Sequence, residues 1–175
     1  MPLLIGAMVL SLTGCPDEME PVGIVETEYE YLTQLRMVHL EAMESSREIS
    51  GITRRVELRD LAEDLLRTLE GEVERIESRL RELHPDQPME VTYHPMMRPL
   101  EELDPHEADV VFLEDMVAHH QHAIDLSRDL LRPEVQSRPE VEAMAQEIVD
   151  EWGEEIQRLQ TPLREWRGIV IPEGP

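Results

Sequence analysis

Apolar residues recur at intervals of three and four along four segments of the chain, and this spacing predicts four amphipathic helices. The first helix is predicted over residues 28–50, between a capping box that opens at Thr27 and Gly51, which can end it. The second is predicted over residues 54–83, where leucines dominate the apolar stripe and Pro85 follows. These two segments are close enough in sequence to form a helical hairpin.

The third and fourth helices are predicted in the second half of the chain. The third is expected over residues 105–131, because Asp104 is a good capping residue and the proline after it suits the first turn of a helix. The fourth is expected to begin with a capping box at Ser137, to be disturbed at Pro162 and to end at Gly168. These two segments form a second predicted hairpin.

The two predicted hairpins align with each other residue by residue. An offset of 81 residues places the first helix on the third and matches His39 with His120. An offset of 83 places the second helix on the fourth and matches Glu72 with Glu155. The first offset also matches two further pairs, Tyr31 with Phe112 and Ser46 with Ser127. The sequence therefore predicts an all-α, ferritin-like four-helix bundle of two tandem hairpins joined by the long, proline-rich crossover 84–104.

The start of the chain has the pattern of an export signal. An apolar run too short to cross a bilayer as a helix leads into Leu12-Thr13-Gly14-Cys15, which resembles the lipobox of bacterial lipoproteins. A frayed apolar tail is the alternative. We expect an exported protein, anchored to a bacterial membrane in the cell envelope or periplasm by a lipid on Cys15, its only cysteine. The predicted organisation is a signal peptide, an acidic tether, a helical domain and a tail: 1–15, 16–27, 28–167 (hairpins 28–83 and 105–167, crossover 84–104) and 168–175.

The formal charge of the chain is -23, from 39 acidic and 16 basic side chains, all of the basic ones arginine. A nucleic-acid partner is excluded, because so acidic a protein repels a phosphate backbone. The sequence also has no phosphate-binding loop, nucleophile elbow or dinucleotide fingerprint, so hydrolase and nucleotide chemistry have no support. It leaves the oligomeric state open.

Each predicted hairpin carries one histidine and one glutamate where the spacing calls for a core residue. His39 and Glu72 form this set in the first hairpin, and His120 and Glu155 in the second. Two imidazoles and two carboxylates from four helices could bind zinc, iron or copper. Alternatively, each histidine bonds its glutamate and simply fills the core.

Further potential ligands surround the histidine of the second hairpin. Asp115, Met116 and His119 lie within two turns of His120 on the same helix. His119 and His120 are therefore the leading metal-site candidates. The crossover segment His94-Pro95-Met96-Met97 could offer thioether and imidazole to Cu(I), or could serve as a methionine-rich flap over the bundle.

The second hairpin also carries a family motif: Phe112-Leu113-x-x-Met116-Val117-x-His119-His120-x-x-Ala123-Ile124, then Glu155-Ile156 and Trp166. Over residues 28–167 the chain resembles the bacterial family called domain of unknown function 305. The resemblance implies an exported ferritin-like bundle that handles metal, copper before zinc or iron. It supports Met116, His119 and His120, with Glu155 opposite them. Where the family often has Met, Gln and Met, this chain has Leu126, Trp152 and Leu159.

The leading hypothesis is a non-enzymatic, lipid-anchored metal-binding protein. The alternative is a structural or interaction module whose buried His–Glu pairs set the helix register without metal. A redox enzyme with a carboxylate-bridged metal pair is disfavoured, because Arg75 and Arg158 stand where the Glu-x-x-His motif of such enzymes requires histidine.

Overall fold

The computed structural model describes residues 25–167, which form four helices and no strand. The helices are α1 (Glu28–Ile52), α2 (Val56–Leu83), α3 (Pro105–Leu130) and α4 (Pro139–Trp166). α1 packs along α2, α3 packs along α4, and the two hairpins meet mainly through α1 and α3. The predicted all-α bundle of two hairpins is confirmed. The predicted signal peptide with Cys15, most of the tether and the tail lie outside the described residues.

Two of the predicted helix starts form as expected. The Thr27 hydroxyl accepts a hydrogen bond from the backbone N–H of Glu30, whose carboxylate accepts from the backbone N–H of Thr27. At α3, the Asp104 carboxylate accepts from the backbone N–H groups of His106 and Glu107. Both caps satisfy N–H groups that have no partner inside the helix. None of the helices of residues 25–167 is apolar and long enough to cross a membrane.

The predicted capping box at Ser137 is wrong. α4 begins at Pro139, its capping position is Arg138 without a side-chain cap, and the Ser137 hydroxyl bonds the Glu142 carboxylate instead. Arg138 is extended, with φ -86° and ψ 147°. A residue before proline is pushed out of the helical region by the proline ring, so the helix cannot begin earlier.

The disturbance predicted at Pro162 does not end the helix, because α4 continues through this residue to Trp166, close to the predicted end at Gly168. Pro162 leaves the carbonyl of Arg158 without its helical partner, but Arg158 lies on the exposed face, where water can replace that bond. The last turn is held by packing. Leu163 and Trp166 are buried, and the guanidinium of Arg55 lies 4.3 Å from the centre of the Trp166 ring.

Gly51 does not end α1, which continues to Ile52. No glycine among the described residues has a positive φ, so the left-handed conformation by which glycine commonly ends a helix is not used here. The helix ends when Thr53 turns extended, while its N–H still bonds the carbonyl of Ile49.

The core shows the internal repeat at atomic detail. The Tyr31 hydroxyl of α1 lies 3.0 Å from the Ser127 hydroxyl of α3, and Ser127 in turn donates to the carbonyl of Ala123. The repeat predicts the mirrored pair, Phe112 of α3 with Ser46 of α1. Phenylalanine has no hydroxyl, and the buried Ser46 hydroxyl has no hydrogen-bond partner among the described residues. The duplicated packing is therefore kept while one of its two polar contacts is lost.

The crossover lies against α1 and α3. The Glu48 carboxylate on α1 accepts from the backbone N–H of Leu100, and the Glu41 carboxylate accepts from those of Met96 and Met97. Arg98 reaches α3, where it binds Asp115 through its backbone N–H and its guanidinium. The crossover is thus fixed to the bundle at its centre.

Candidate metal centre

His39 lies at the centre of the first hairpin with all of its polar atoms engaged. The residue is fully buried; its Nδ1 lies 2.8 Å from the carbonyl oxygen of Leu35 and its Nε2 lies 2.8 Å from Oε2 of Glu72. Both ring nitrogens are therefore placed to hydrogen-bond an oxygen atom, Nδ1 that of the Leu35 carbonyl and Nε2 that of the Glu72 carboxylate. The His–Glu pair predicted for the first hairpin is therefore present.

His120 occupies the equivalent position in the second hairpin, but its surroundings differ. The Trp152 ring contacts both imidazoles, with its centroid 4.4 Å from that of His120 and 4.9 Å from that of His39. Burial, together with His119 and His39 nearby, lowers the pKa of His120 to about 3. The imidazole of His120 is therefore neutral at neutral pH, which is the form that binds metal.

We call the histidine and glutamate at core positions of each hairpin the polar layer. A cavity of about 120 Å³ lies between α2 and α4, and carboxylates of this layer line it together with His120. Its lining includes Glu72 from α2, His120 from α3, and Glu151, Trp152 and Glu155 from α4. The volume is sufficient for an ion with accompanying water molecules. Residues from three helices thus present an imidazole and several carboxylates to one space.

The hydrogen bond between His120 and Glu155, which belongs to the alternative without metal, is not formed in the described part of the chain. The Glu155 side chain is 21% exposed, and its Oε2 lies 3.2 Å from Nη1 of Arg158, one turn further along α4. Glu155 sits at the surface edge of the core because its flexible side chain can hydrate the charge there. The two glutamates of the polar layer are therefore at its margin, whereas the two histidines are at its centre.

His119 faces a different side of α3. Its Nε2 lies 3.2 Å from Oε2 of Glu41 on α1, beneath the crossover, and its buried Nδ1 has no hydrogen-bond partner among the described residues. Successive helix residues point about 100° apart, so His119 and His120 cannot both face the Trp152 cavity. The structure therefore divides the double histidine between two sites.

Glu41 is the centre of the contacts on the His119 side. Besides His119, its carboxylate receives hydrogen bonds from the Tyr93 hydroxyl and from two crossover N–H groups. Burial raises the pKa of Glu41, but the interaction with His119, followed by the hydrogen bonds from Met97 and Tyr93, outweighs it and brings the pKa down to about 2. Glu41 is therefore a carboxylate held ionised at the junction of α1, α3 and the crossover.

The other predicted ligands of α3 have other contacts. Both carboxylate oxygens of Asp115 are bound by Arg98, at 2.7 to 3.0 Å. Met116 is fully buried in the apolar core. Within residues 25–167, no three His, Cys, Asp or Glu side chains converge closely enough to enclose a metal ion as they stand. Binding at the Trp152 cavity would therefore require its glutamate side chains to move.

Two site residues were missed as such by the sequence reasoning. Trp152 was considered as a departure from the family pattern and not as a site residue, and nothing in the helical spacing indicates that its ring contacts both histidines. Glu41 was not among the predicted site residues. Its contact with His119 has no sequence signal, because it depends on how α1 packs against α3 beneath the crossover.

The fold and the site together define a class of protein: a helical bundle of two tandem hairpins, each of which contributes a buried histidine to a shared layer. Residues 28–163 match the family model of the domain of unknown function 305, DUF305, and the chain belongs to this family. The resemblance inferred from the double-histidine motif is confirmed. No curated protein matches the chain.

Solved structures with the same fold include CopM and a second DUF305 protein. CopM with Cu(II) bound has a TM-score of 0.68 at 19% identity, over 80% of this chain and 97% of CopM. Silver-bound CopM has a TM-score of 0.68 at 20% identity, over 81% of this chain and 98% of CopM. A DUF305 protein from Streptomyces coelicolor, described as secreted, has a TM-score of 0.67 at 20% identity, over 82% of this chain and 95% of the other. At such identities the likeness establishes the fold.

Proposed function

We propose that this chain is an exported, lipid-anchored metal-handling protein without enzymatic activity, and that copper is its first candidate metal. The observation that carries the proposal is the layer around Trp152, where His120, Glu72 and Glu155 from three helices line one cavity. The fold supports it, since CopM has been solved with Cu(I), Cu(II) and silver bound. The anchor would be the lipid on Cys15.

The donors at the cavity fit a borderline divalent ion. Imidazole suits copper and zinc, and carboxylates add negative charge without requiring a redox step. His120 would hold the ion, while Glu72 and Glu155 would neutralise its charge. Bound there, the metal would supply no reaction of its own, and the protein would serve to sequester or transfer it.

A soft ion would find a thioether close by. The buried Met144 lines a neighbouring pocket together with His39 and Glu72. Thioethers favour Cu(I) over the harder divalent ions. The thioether of Met144 therefore supports copper as the first candidate metal. The replacement of family Gln and Met residues by Trp152 and Leu159 counts against copper.

Calorimetric titration of the full chain tests this proposal. A Cys15→Ser background removes the single thiol, and chelator treatment precedes titration with Cu(II), Zn²⁺ and, under anaerobic reducing conditions, Cu(I). We expect a site tighter than about 10 μM, and a loss of affinity of at least about tenfold in His120→Ala and in Glu155→Gln. In a Trp166→Phe variant, where Trp152 is the only tryptophan, bound Cu(II) should quench the remaining fluorescence.

His84→Ala is the matched control, because His84 pairs with Glu28 at the other end of the hairpin and lies outside the cavity. Its metal affinity should equal that of the parent chain. The proposal fails if no ion binds more tightly than about 10 μM, or if His120→Ala and His84→Ala bind equally well.

A structural role is the second candidate, and the complete hydrogen bonding of His39 favours it. A pair such as His39 with Glu72 can set the register of two helices without any ligand. In that case each of the variants His39→Ala and His120→Ala would lower the melting temperature, and the decrease for a given variant would be the same with chelator as with added metal. Under the metal-handling proposal, added metal raises the melting temperature of the parent chain but not that of His120→Ala.

A further inference from the structure

A groove of about 560 Å³ between α1 and the crossover lies outside the Trp152 cavity, and the metal-handling proposal makes no use of it. One wall is α1, and the other is the crossover from Val91 to Glu101. The volume is in the range of sites that bind small molecules.

The α1 wall carries a stripe of carboxylates. Glu41, Glu44 and Glu48 all line the groove, at spacings of three and four residues that place them on one face of the helix. Glu101 adds a fourth carboxylate from the crossover. Glu44 and Glu101 are exposed and make no ion pair or hydrogen bond with the described residues. Their charges are therefore available to a cationic ligand.

The one basic residue of the groove does not neutralise this stripe. The Arg98 guanidinium is bound by Glu114 and Asp115 on α3, at 2.7 to 3.0 Å. The Glu41 carboxylate is similarly occupied by its own donors. The groove therefore presents negative charge without a basic partner at Glu44, Glu48 and Glu101, of which Glu48 accepts one hydrogen bond, from the backbone N–H of Leu100.

A buried polar atom in the groove also lacks a partner. Ser45 lines the groove and is only 6% exposed, yet its hydroxyl has no hydrogen-bond partner among the described residues. An unpaired buried hydroxyl is unfavourable, and an N–H donor from a ligand would satisfy it. The remaining lining is apolar and includes Met37, Leu40 and Met97.

We propose that this groove binds an elongated aliphatic diamine or polyamine. Apolar walls fit its methylene chain, and carboxylates one helical turn apart fit ammonium groups at its two ends. The Ser45 hydroxyl accepts a hydrogen bond from an ammonium N–H. A bare metal ion would leave the apolar walls uncovered, and a monoamine would leave part of the carboxylate stripe unpaired.

The test is calorimetric titration of chelator-treated full chain with 1,4-diaminobutane, in about 0.1 M salt to screen diffuse attraction. We expect one diamine per chain, with butylamine and Mg²⁺ each at least about tenfold weaker. The double variant Glu44→Gln/Glu101→Gln should lose at least about tenfold in diamine affinity. Both side chains are exposed, so this variant should keep its fold.

The matched control is Glu63→Gln/Glu74→Gln on the exposed face of α2, which changes the net charge equally but lies outside the groove. Its diamine affinity should stay within about twofold of the parent chain. If the two double variants lose equal diamine affinity, the binding depends only on the net charge of the protein. That result would overturn the proposal. The methyl resonances of Met37 and Met97 should shift when diamine is added, and unchanged resonances would overturn it as well.

Discussion

At the scale of single residues, Tyr31 and Phe112 occupy equivalent positions in the two hairpins, and only Tyr31 carries a hydroxyl. Its partner Ser127 donates to the carbonyl of Ala123, so the Tyr31 hydroxyl is the donor in the bond between them. In the mirrored pair, the Ser46 hydroxyl is buried and unpaired. The repeat therefore identifies Phe112 as the position where an added hydroxyl could hydrogen-bond the unpaired hydroxyl of Ser46.

We predict that Phe112→Tyr stabilises the protein. If the mirrored geometry is kept, the new hydroxyl reaches Ser46 and raises the free energy of unfolding by about 1 kcal/mol, the usual net value of a hydrogen bond. Tyr31→Phe should lower it by a similar amount. Urea denaturation at neutral pH measures both changes.

The control for this prediction is the exchange variant Tyr31→Phe/Phe112→Tyr, which moves the hydroxyl from one hairpin to the other. Its stability should return close to that of the parent chain, because the two sites share no partner. A Phe112→Tyr variant that is less stable than the parent would mean that the core has no room for the hydroxyl. The packing of the two hairpins would then not be equivalent at this position.

The placement of His119 marks the limit of sequence reasoning at this scale. Helical spacing correctly placed His39 and His120 in the core, since inward positions follow from periodicity. The separation of His119 from His120 also follows from the helical angle, but its partner does not. Glu41 meets His119 only because α1 packs on α3 and the crossover closes over both, and this pairing depends on tertiary contacts that no local pattern contains.

At the scale of elements, Glu114 joins three parts of the chain. Its carboxylate accepts from Arg98 of the crossover at 2.9 Å and from Arg167, just after α4, at 2.9 Å. These two guanidinium groups hold the pKa of Glu114 below its usual value. The two ion pairs of Glu114 exist only while its carboxylate is ionised; Arg98 is held to α3 by Asp115 as well, whereas Arg167 bonds only Glu114 among the described side chains.

We predict a pH-dependent contribution of Glu114 to stability. Since its pKa is lower in the folded state than in the unfolded chain, its contribution is fully present above the unfolded value of 4.5 and is lost as the pH falls below that value. The difference in unfolding free energy between the parent chain and Glu114→Gln should therefore be largest near neutral pH and shrink towards pH 3. Denaturation curves of both proteins across this range measure it.

Glu140→Gln is a suitable control, because Glu140 is an exposed residue of the first turn of α4 without an ion pair to the described residues. It should show a smaller change with pH than Glu114→Gln. A Glu114→Gln difference that stays constant between pH 7 and pH 3 would contradict the prediction.

The helix boundaries show which part of the fold is local. The starts of α1 and α3 were predicted because their capping bonds lie within the first turn. The start of α4 at Pro139 was missed, although the restriction that proline places on Arg138 is also local. The continuation of α4 beyond Pro162 was predicted, but its physical cause was not, because it depends on the burial of Leu163 and Trp166 against the rest of the bundle.

At the scale of the whole molecule, the charge of -23 limits how the protein can reach a membrane. Peripheral proteins bind anionic lipid surfaces through clusters of basic side chains. This chain has 39 acidic residues and only 16 arginines. The net electrostatic interaction of the chain with such a surface is repulsive. If the protein is membrane-associated through the proposed lipid, the lipid must provide the binding against this repulsion.

We therefore predict that membrane association depends on Cys15 and not on ionic strength. In fractionated cells, the parent chain should stay with the membranes through a wash in about 1 M salt, because screening weakens the repulsion and leaves the lipid buried. Cys15→Ser should move to the soluble fraction and should lack the added mass of a lipid that the parent chain carries. The control is a Ser11→Ala variant, which is changed in the same segment but keeps the cysteine. It should stay with the membranes and carry the lipid, as the parent chain does. Persistent membrane binding of Cys15→Ser at high salt would place the anchor in a segment other than Cys15.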